Sequence, residues 1–277
     1  MPTDLAVHHF GLDPKDAPTV VILHGAVESA HCWADAIQRW SSQFHIVAPD
    51  ARGHGASPRM SAPEMAFIGT EVMTTDAIAV LSDVFADTGR PALVIGHSMG
   101  ARIAAFAAAA VPHTVAGLVL EDPPWWVPEE GPNPWLSRDV EFDDPLTDPD
   151  ASEATIDELA AAMATLNPAW ATSELRPLAL AARQVDQEML QRRAFEKRRP
   201  WTPTIRQLAH GRCSVPTMLV TGTGAVIVEE SARSLLSEVA PEVSVIVIED
   251  AGHCVRRDQA EAYHSYVDHF LATHAVR

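Results

Sequence analysis

The residues best suited to chemistry lie in Gly96-His97-Ser98-Met99-Gly100. The pentapeptide follows the apolar run Ala92-Leu93-Val94-Ile95 and precedes the alanine-rich run Ala101 to Ala110. Strand, tight turn and helix in that order are the setting in which G-x-S-x-G forms a nucleophile elbow. The two glycines let strand and helix approach closely around Ser98, whose backbone is expected to be strained. Its hydroxyl then stands clear of the backbone at the positive end of the following helix. The plain alternative is a glycine turn whose serine caps a helix.

A serine hydroxyl needs a base to take its proton. His253 is the best candidate, in Glu249-Asp250-Ala251-Gly252-His253 after the last apolar strand and before the final helix. That position is at the carboxyl edge of a parallel sheet, the edge that also carries Ser98. His24 and His97 are weaker candidates. His97 lies within the elbow, with its side chain expected to point away from the nucleophile, and His24 is expected to shape the loop after an early strand. Gly25 lets that loop bend so that a backbone N–H faces a reacting carbonyl. Two such donors stabilise a developing oxyanion, and the N–H groups of Ala26 and Met99 are assigned to that role.

The elements that must position these groups are legible as short apolar runs. Val20–Leu23, Phe44–Ala48, Ala92–Ile95, Val115–Leu120, Thr217–Thr221 and Val243–Ile248 read as strands buried on both faces. Helical patterns at Trp33–Ser41, Met73–Thr88, Ala101–Val111, Ser231–Ala240 and Gln259–His274 alternate with them, which predicts a parallel α/β sheet. From Pro123 to about Leu208 no strand is evident. Helical stretches at Thr155–Leu166, Leu175–Ala182 and Val185–Lys197 read as an inserted lid. Residues 1–122 and 209–277 are therefore expected to form the core, and 123–208 a helical cap. The cap holds five of the seven tryptophans, Trp125, Trp126, Trp135, Trp170 and Trp201. Trp125 and Trp126, with Gly25, are candidates to line an apolar pocket. Taken singly, each tryptophan reads better as an anchor of the cap on the core. The acidic stretch Glu129–Asp150 and the basic residues Arg192, Arg193, Lys197, Arg198 and Arg199 read as solvated faces.

The chain has 277 residues, 47% of them hydrophobic, enough for a sizeable core. Twenty Lys and Arg against 37 Asp and Glu leave a net charge of −17. Such a surface repels phosphate backbones and anionic lipid, so neither nucleic acid nor membrane is an expected partner. A small-molecule substrate is expected, and a homodimer is compatible with the sequence. Three unclustered cysteines, Cys32, Cys213 and Cys254, suggest neither a disulfide framework nor a zinc site. Cys254 reads as a small buried apolar residue. Met1–Pro18 has no apolar core of the kind a secretion signal carries, and a cytoplasmic location is expected.

Taken together, His24-Gly25-Ala26 with Trp33, the segment Asp50-Ala51-Arg52-Gly53-His54-Gly55-Ala56-Ser57, the elbow and Ala251-Gly252-His253 resemble the α/β-hydrolase superfamily over nearly the whole chain. The resemblance is to the serine-nucleophile, esterase- and lactonase-like branch with a helical cap. It implies an eight-stranded, mostly parallel sheet, a cap inserted after the sixth strand, and a Ser–His–acid triad. It also implies a structural hydrogen-bonding role for Asp50 and Arg52. In most relatives the acid follows the seventh strand, and here that position is Ala225. The alternative placement in the superfamily, after the sixth strand, falls on Leu120-Glu121-Asp122-Pro123-Pro124. Asp122 is the favoured acid, Glu121 comes next, and Glu229 and Asp250 follow. A serine nucleophile implies acyl transfer without metal or cofactor: hydrolysis of an ester, lactone, thioester or amide, with a small, fairly apolar ester or lactone as the main reading. The alternatives are a carbon–carbon bond hydrolase, an acyltransferase and a slow-turnover ligand receptor. The carbon–carbon reaction calls for cationic groups such as Arg102 and Arg183, but Arg102 reads better as a helix-surface charge.

Overall fold

The computed structural model describes residues 4–67, 69–125, 154–191 and 200–276. Trp126, Trp135, the acidic stretch and the basic run named above lie outside the described residues. In chain order the strands are β1 (Val7–Gly11), β2 (Thr19–Leu23), β3 (His45–Pro49), β4 (Ala92–His97), β5 (Val115–Glu121), β6 (Thr217–Gly222) and β7 (Ser244–Ile248). The helices are α1 (Ala34–Trp40), α2 (Ala62–Phe67), α3 (Gly69–Thr88), α4 (Met99–Ala110), α5 (Ile156–Leu166), α6 (Thr172–Gln184), α7 (Gln187–Gln191), α8 (Thr202–His210), α9 (Glu230–Val239), α10 (Val255–Asp258) and α11 (Ala260–His274).

The strands form one sheet in the order β1-β3-β2-β4-β5-β6-β7. All neighbours run parallel except β1, which lies antiparallel to β3. Seven strands are therefore described, not the eight that the resemblance implies. A single antiparallel strand precedes β2, so the strand before Asp122 is the fifth. β1 reads Val-His-His-Phe-Gly and is only partly buried at the sheet edge, so it lacks the continuous apolar run that marks the others.

Side chains alternate between two apolar layers, as the period of two requires. Val21, Leu23, Val94, Leu118, Leu120 and Leu219 face α3, α4, α8 and α9. Val20, Ile22, Leu93, Ile95, Val119 and Val220 face α1 and α11. Helices cover both faces, which is why β2, β3, β4 and β6 are buried at every residue. α4 contains seven alanines among twelve residues and lies close to the sheet. A methyl group on Gly100 would overlap the carbonyl oxygens of Leu23 and His24, so glycine is required at that contact.

Between β5 and β6 the described residues hold only helices, α5 to α8. Met163, Leu175, Leu178 and Ala181 of α5 and α6 pack on Cys32, in the 3-10 turn Ala30–Trp33 after β2. Thr155 caps α5 through a reciprocal capping box with Glu158. α8, with Pro203 in its first turn, was not expected from sequence. Among the described residues, no helix is long and apolar enough to cross a membrane.

Candidate active site

Because the strands run parallel, the loops after β2, β4, β5 and β7 open on one edge. Among the described residues, four non-glycine residues have positive φ: Val27 (61°), Ser98 (49°), Asp122 (38°) and Asp250 (56°). Each lies in one of those four loops. Positive φ is costly for L residues, and most of all for a β-branched one such as Val27. Strain is thus concentrated where the sequence places the chemistry.

Ser98 (φ 49°, ψ −117°) immediately precedes α4. Its N–H donates to the Glu121 carbonyl at 2.8 Å, and its carbonyl accepts from the Arg102 N–H at 3.1 Å. A methyl on Gly96 would come within 2.6 Å of the Ala101 backbone, so the turn tolerates no side chain there. Met99 is the first residue of α4, where an N–H has no partner within the helix. Ala26 is half-buried in the loop after β2.

His253 Nδ1 lies 2.6 Å from Asp122 Oδ2. Asp122 is completely buried, whereas the His253 side chain is 23% exposed. Four donors converge on this carboxylate. Besides His253, Oδ2 accepts from the Ile227 N–H at 2.8 Å, and Oδ1 accepts from Thr221 Oγ1 at 2.8 Å and the Val228 N–H at 3.0 Å. Burial opposes ionisation, but the His253 hydrogen bond and charge and the two amides hold the Asp122 carboxyl below its ordinary value. An ionised Asp122 requires the proton of His253 on Nδ1, leaving Nε2 with the lone pair. Glu121 turns the opposite way, as its neighbouring position on the strand dictates, and its Oε1 accepts from the Arg256 N–H at 2.8 Å. Asp250 N–H donates to Thr223 Oγ1 at 3.0 Å, and Glu229 is exposed at the start of α9.

Sequence reasoning missed a buried charge cluster beside these residues. Glu28 Oε2 accepts from the Gly25 N–H at 2.8 Å and lies 3.4 Å from His97 Nδ1. Its Oε1 pairs with Arg257 Nη1 at 2.7 Å, and Arg257 Nε pairs with Glu174 Oε2 of α6 at 2.7 Å. Arg256 lies 3.5 Å from Glu28 and 3.7 Å from Glu121, with its guanidinium 3.9 Å from the centre of the Trp33 ring. Both arginines donate to the Cys32 carbonyl, at 2.9 and 3.1 Å. Burial opposes ionisation of Glu28, but Arg257, Arg256 and His97 hold its carboxyl well below the usual range. The adjacent arginines directly after the histidine motif were the available signal. Outside the cluster but linked to it, Asp258 joins the helices to the histidine loop: it accepts from Trp170 Nε1 at 2.7 Å and from the Gly252 N–H at 2.8 Å.

Other expected residues fall as follows. His24 Nδ1 donates to the Gly25 carbonyl at 2.8 Å and its Nε2 accepts from the Ala51 N–H at 2.9 Å, so the ring braces two loops. Asp50 accepts from the N–H groups of Ala30 (2.8 Å) and Ala56 (2.9 Å). Arg52 binds Asp76 through two nitrogens, at 2.9 and 3.0 Å. Trp125 is 1% exposed and stacks on Trp201 at 4.9 Å within the core, so it anchors the helices there. Trp126 lies outside the described residues. Arg102 is not a surface charge: it is 5% exposed, and its guanidinium lies 5.3 Å from the Phe106 ring, because α4 is covered on every side. Arg183 donates to the Ala154 carbonyl at 2.7 Å. Cys254 is partly exposed and accepts from Arg257 Nη1 at 3.6 Å, not the buried apolar residue expected. Among the described residues no three His, Cys, Asp or Glu side chains converge as metal ligands would.

A mostly parallel sheet covered on both faces, with a strained serine at a strand–helix turn, is the architecture of the α/β-hydrolase class. Residues 20–265 match the sequence profile of the Alpha/beta hydrolase family, and the chain belongs to it. Lipase LipV of Mycobacterium tuberculosis is 38% identical over 120 residues, which are 43% of this chain and 42% of that protein. The chain thus spans less than half the length of that relative. N-formylmaleamate deformylase of Pseudomonas putida is 27% identical over 263 residues, 91% of this chain and 88% of that one. The crystal structure of a serine-to-alanine form of N-formylmaleamic acid deformylase, also from Pseudomonas putida, matches with a TM-score of 0.74, 23% identity and 94% coverage of each chain.

Proposed function

We propose that the protein is a serine hydrolase that cleaves a small, fairly apolar carboxylic ester or lactone through an acyl-enzyme on Ser98. The observation that carries this reading is the 2.6 Å contact between His253 Nδ1 and the buried Asp122, at the sheet edge that bears Ser98. Asp122 fixes the tautomer, His253 Nε2 takes the Ser98 proton, and the oxygen attacks the substrate carbonyl. The N–H groups of Ala26 and Met99 hold the oxyanion. His253 then returns the proton to the leaving alcohol, and water repeats the sequence to release the acid. The helices α5 to α8 act as a cap over this edge, anchored by Trp125, Trp170 and Trp201. Neither nucleic acid nor membrane enters the reaction.

The deformylase likeness over 91% of the chain favours a second substrate class on the same machinery, an N-formyl or other small amide. The test is turnover of a panel of short- and medium-chain aryl esters, lactones and N-formyl amides by wild type and Ser98→Ala. Turnover abolished by the substitution supports the acyl-enzyme, and the preferred member separates the two classes. Wild-type turnover that survives in Ser98→Ala would overturn the reading.

A further inference from the structure

His97 immediately precedes Ser98, and its ring reaches into the charge cluster. Its Nε2 lies 3.1 Å from the His253 carbonyl oxygen and its Nδ1 lies 3.4 Å from Glu28 Oε2. Its ring centre is 4.8 Å from that of His253. A carbonyl and a carboxylate can only accept, so each ring nitrogen must donate. The same Glu28 oxygen takes the Gly25 N–H at 2.8 Å, which fixes the His24–Gly25 peptide, one residue before Ala26. A methyl on Gly25 would fall 2.8 Å from His97 Nδ1, so this contact explains the glycine.

We propose that His97 is a positioning residue that fastens the loop carrying His253 to the loop carrying Ala26, with both ring N–H groups donating. One ring thereby joins three segments that the proposed reaction must align: the elbow through its own backbone, the base loop through the His253 carbonyl, and the oxyanion loop through Glu28. Burial opposes a charged ring, but Glu28 and Glu121 hold its pKa well above 6.5, and the Cys254 side chain adds a hydrogen bond. His24 and His253 are the other titratable groups beside it, and Arg256 and Arg257 balance the carboxylates. The proposal rests on reading Ser98 and His253 as nucleophile and base.

The test combines activity with a readout that needs none. In nitrogen-edited NMR of the wild type at pH 8, His97 should show two ring N–H protons, and Glu28→Gln should leave one. His97→Gln should lower kcat about 10- to 100-fold, the scale expected of a roughly 1 Å misplacement, with KM within about threefold. Glu28→Gln serves for the kinetics where His97→Gln does not fold. A single ring N–H in the wild type, or wild-type kcat in folded His97→Gln, would overturn the proposal. A wild type inert toward every panel substrate would remove the serine-hydrolase reading alone. The clamp would then be read from the Ala26 and His253 amide signals, which move in His97→Gln if it exists and stay in place if it does not.

Discussion

Replacing Asp122 by Asn tests the assigned triad acid most directly, because the surroundings of its carboxylate define the outcome. All four of its hydrogen bonds come from donors: His253 Nδ1, Thr221 Oγ1, and the Ile227 and Val228 amides. An NH2 group at the Oδ2 position opposes the Ile227 N–H and donates to His253 Nδ1. The ring then carries its proton on Nε2 and cannot accept one from Ser98. At the Oδ1 position the NH2 opposes the Val228 N–H, while the Thr221 hydroxyl can turn and accept. Either way one buried amide loses its acceptor, at a cost of about 1–3 kcal/mol in stability. The second orientation keeps the correct tautomer but lacks the charge that stabilises the imidazolium. The expected loss in kcat is about 10³- to 10⁴-fold, or roughly 4–5.5 kcal/mol of transition-state stabilisation. The assay is hydrolysis of the best panel substrate near pH 7.5, with urea unfolding of the same preparation to show that the variant is folded. Glu121→Gln is the control: its amide oxygen still accepts from the Arg256 N–H, so turnover should stay within about tenfold of wild type. Turnover of folded Asp122→Asn within tenfold of wild type, or a larger loss in Glu121→Gln, would refute the assignment.

Other perturbations have outcomes set by the same structure. Gly100→Ala places a methyl against backbone carbonyls that cannot yield, and should cost about 1–3 kcal/mol in thermal unfolding; an unchanged midpoint would contradict the close packing of α4 on β2. Burial, with the charge of His24 second, pushes His54 down to about 3. Between pH 6.5 and about 3 the unfolded chain therefore binds a proton at His54 that the folded protein does not, so this contribution to stability is lost on acidification. Wild type should lose up to about 1.4 kcal/mol more per pH unit than His54→Phe below pH 6.5, and parallel urea profiles would exclude it. Trp170→Phe keeps an aromatic ring beside Arg257 but removes the donor to Asp258; hydrogen exchange of the Gly252 amide should quicken, and an unaltered rate would show that the helices do not brace the histidine loop.

The parallel sheet was legible because six strands are mostly apolar and rich in β-branched residues or Leu, and each ends in a polar or glycine turn; the edge strand β7 is nonetheless only partly buried. β1 was not, because a partly buried edge strand with two adjacent histidines between Val7 and Phe10 has no such run. Ser98 and His253 stand out as candidates from local context: a strand–turn–helix motif and the turn after the last strand. Asp122 could be proposed from its place at a strand end. What sequence could not show is that Ile227 and Val228 donate to it, since their positions depend on the path of the loop after β6. Arg102 illustrates the opposite error. Its placement in an alanine-rich helix suggests an exposed charge, but α4 is buried from Met99 through Ala109, and Arg102 with it.

The charge cluster was hidden for a more general reason. Glu28, His97, Glu121, Glu174, Arg256 and Arg257 come from five separate segments, and nothing in the sequence links them to one another. Ions buried together are poor sources of stability, because desolvation offsets most of their attraction. Their value here is directional. A carboxylate that must satisfy Gly25, His97 and Arg257 at once has one position, so the His24–Gly25 peptide just before Ala26 has one as well. The same holds for the His253 loop, tied at its carbonyl by His97, at the following arginines by Glu28 and Glu174, and at Gly252 by Asp258. Backbone strain at Val27, Ser98, Asp122 and Asp250 persists only if the surroundings over-determine those loops. The buried ions bear on the loops beside Val27 and Ser98, so truncating Glu28 or His97 should release strain there.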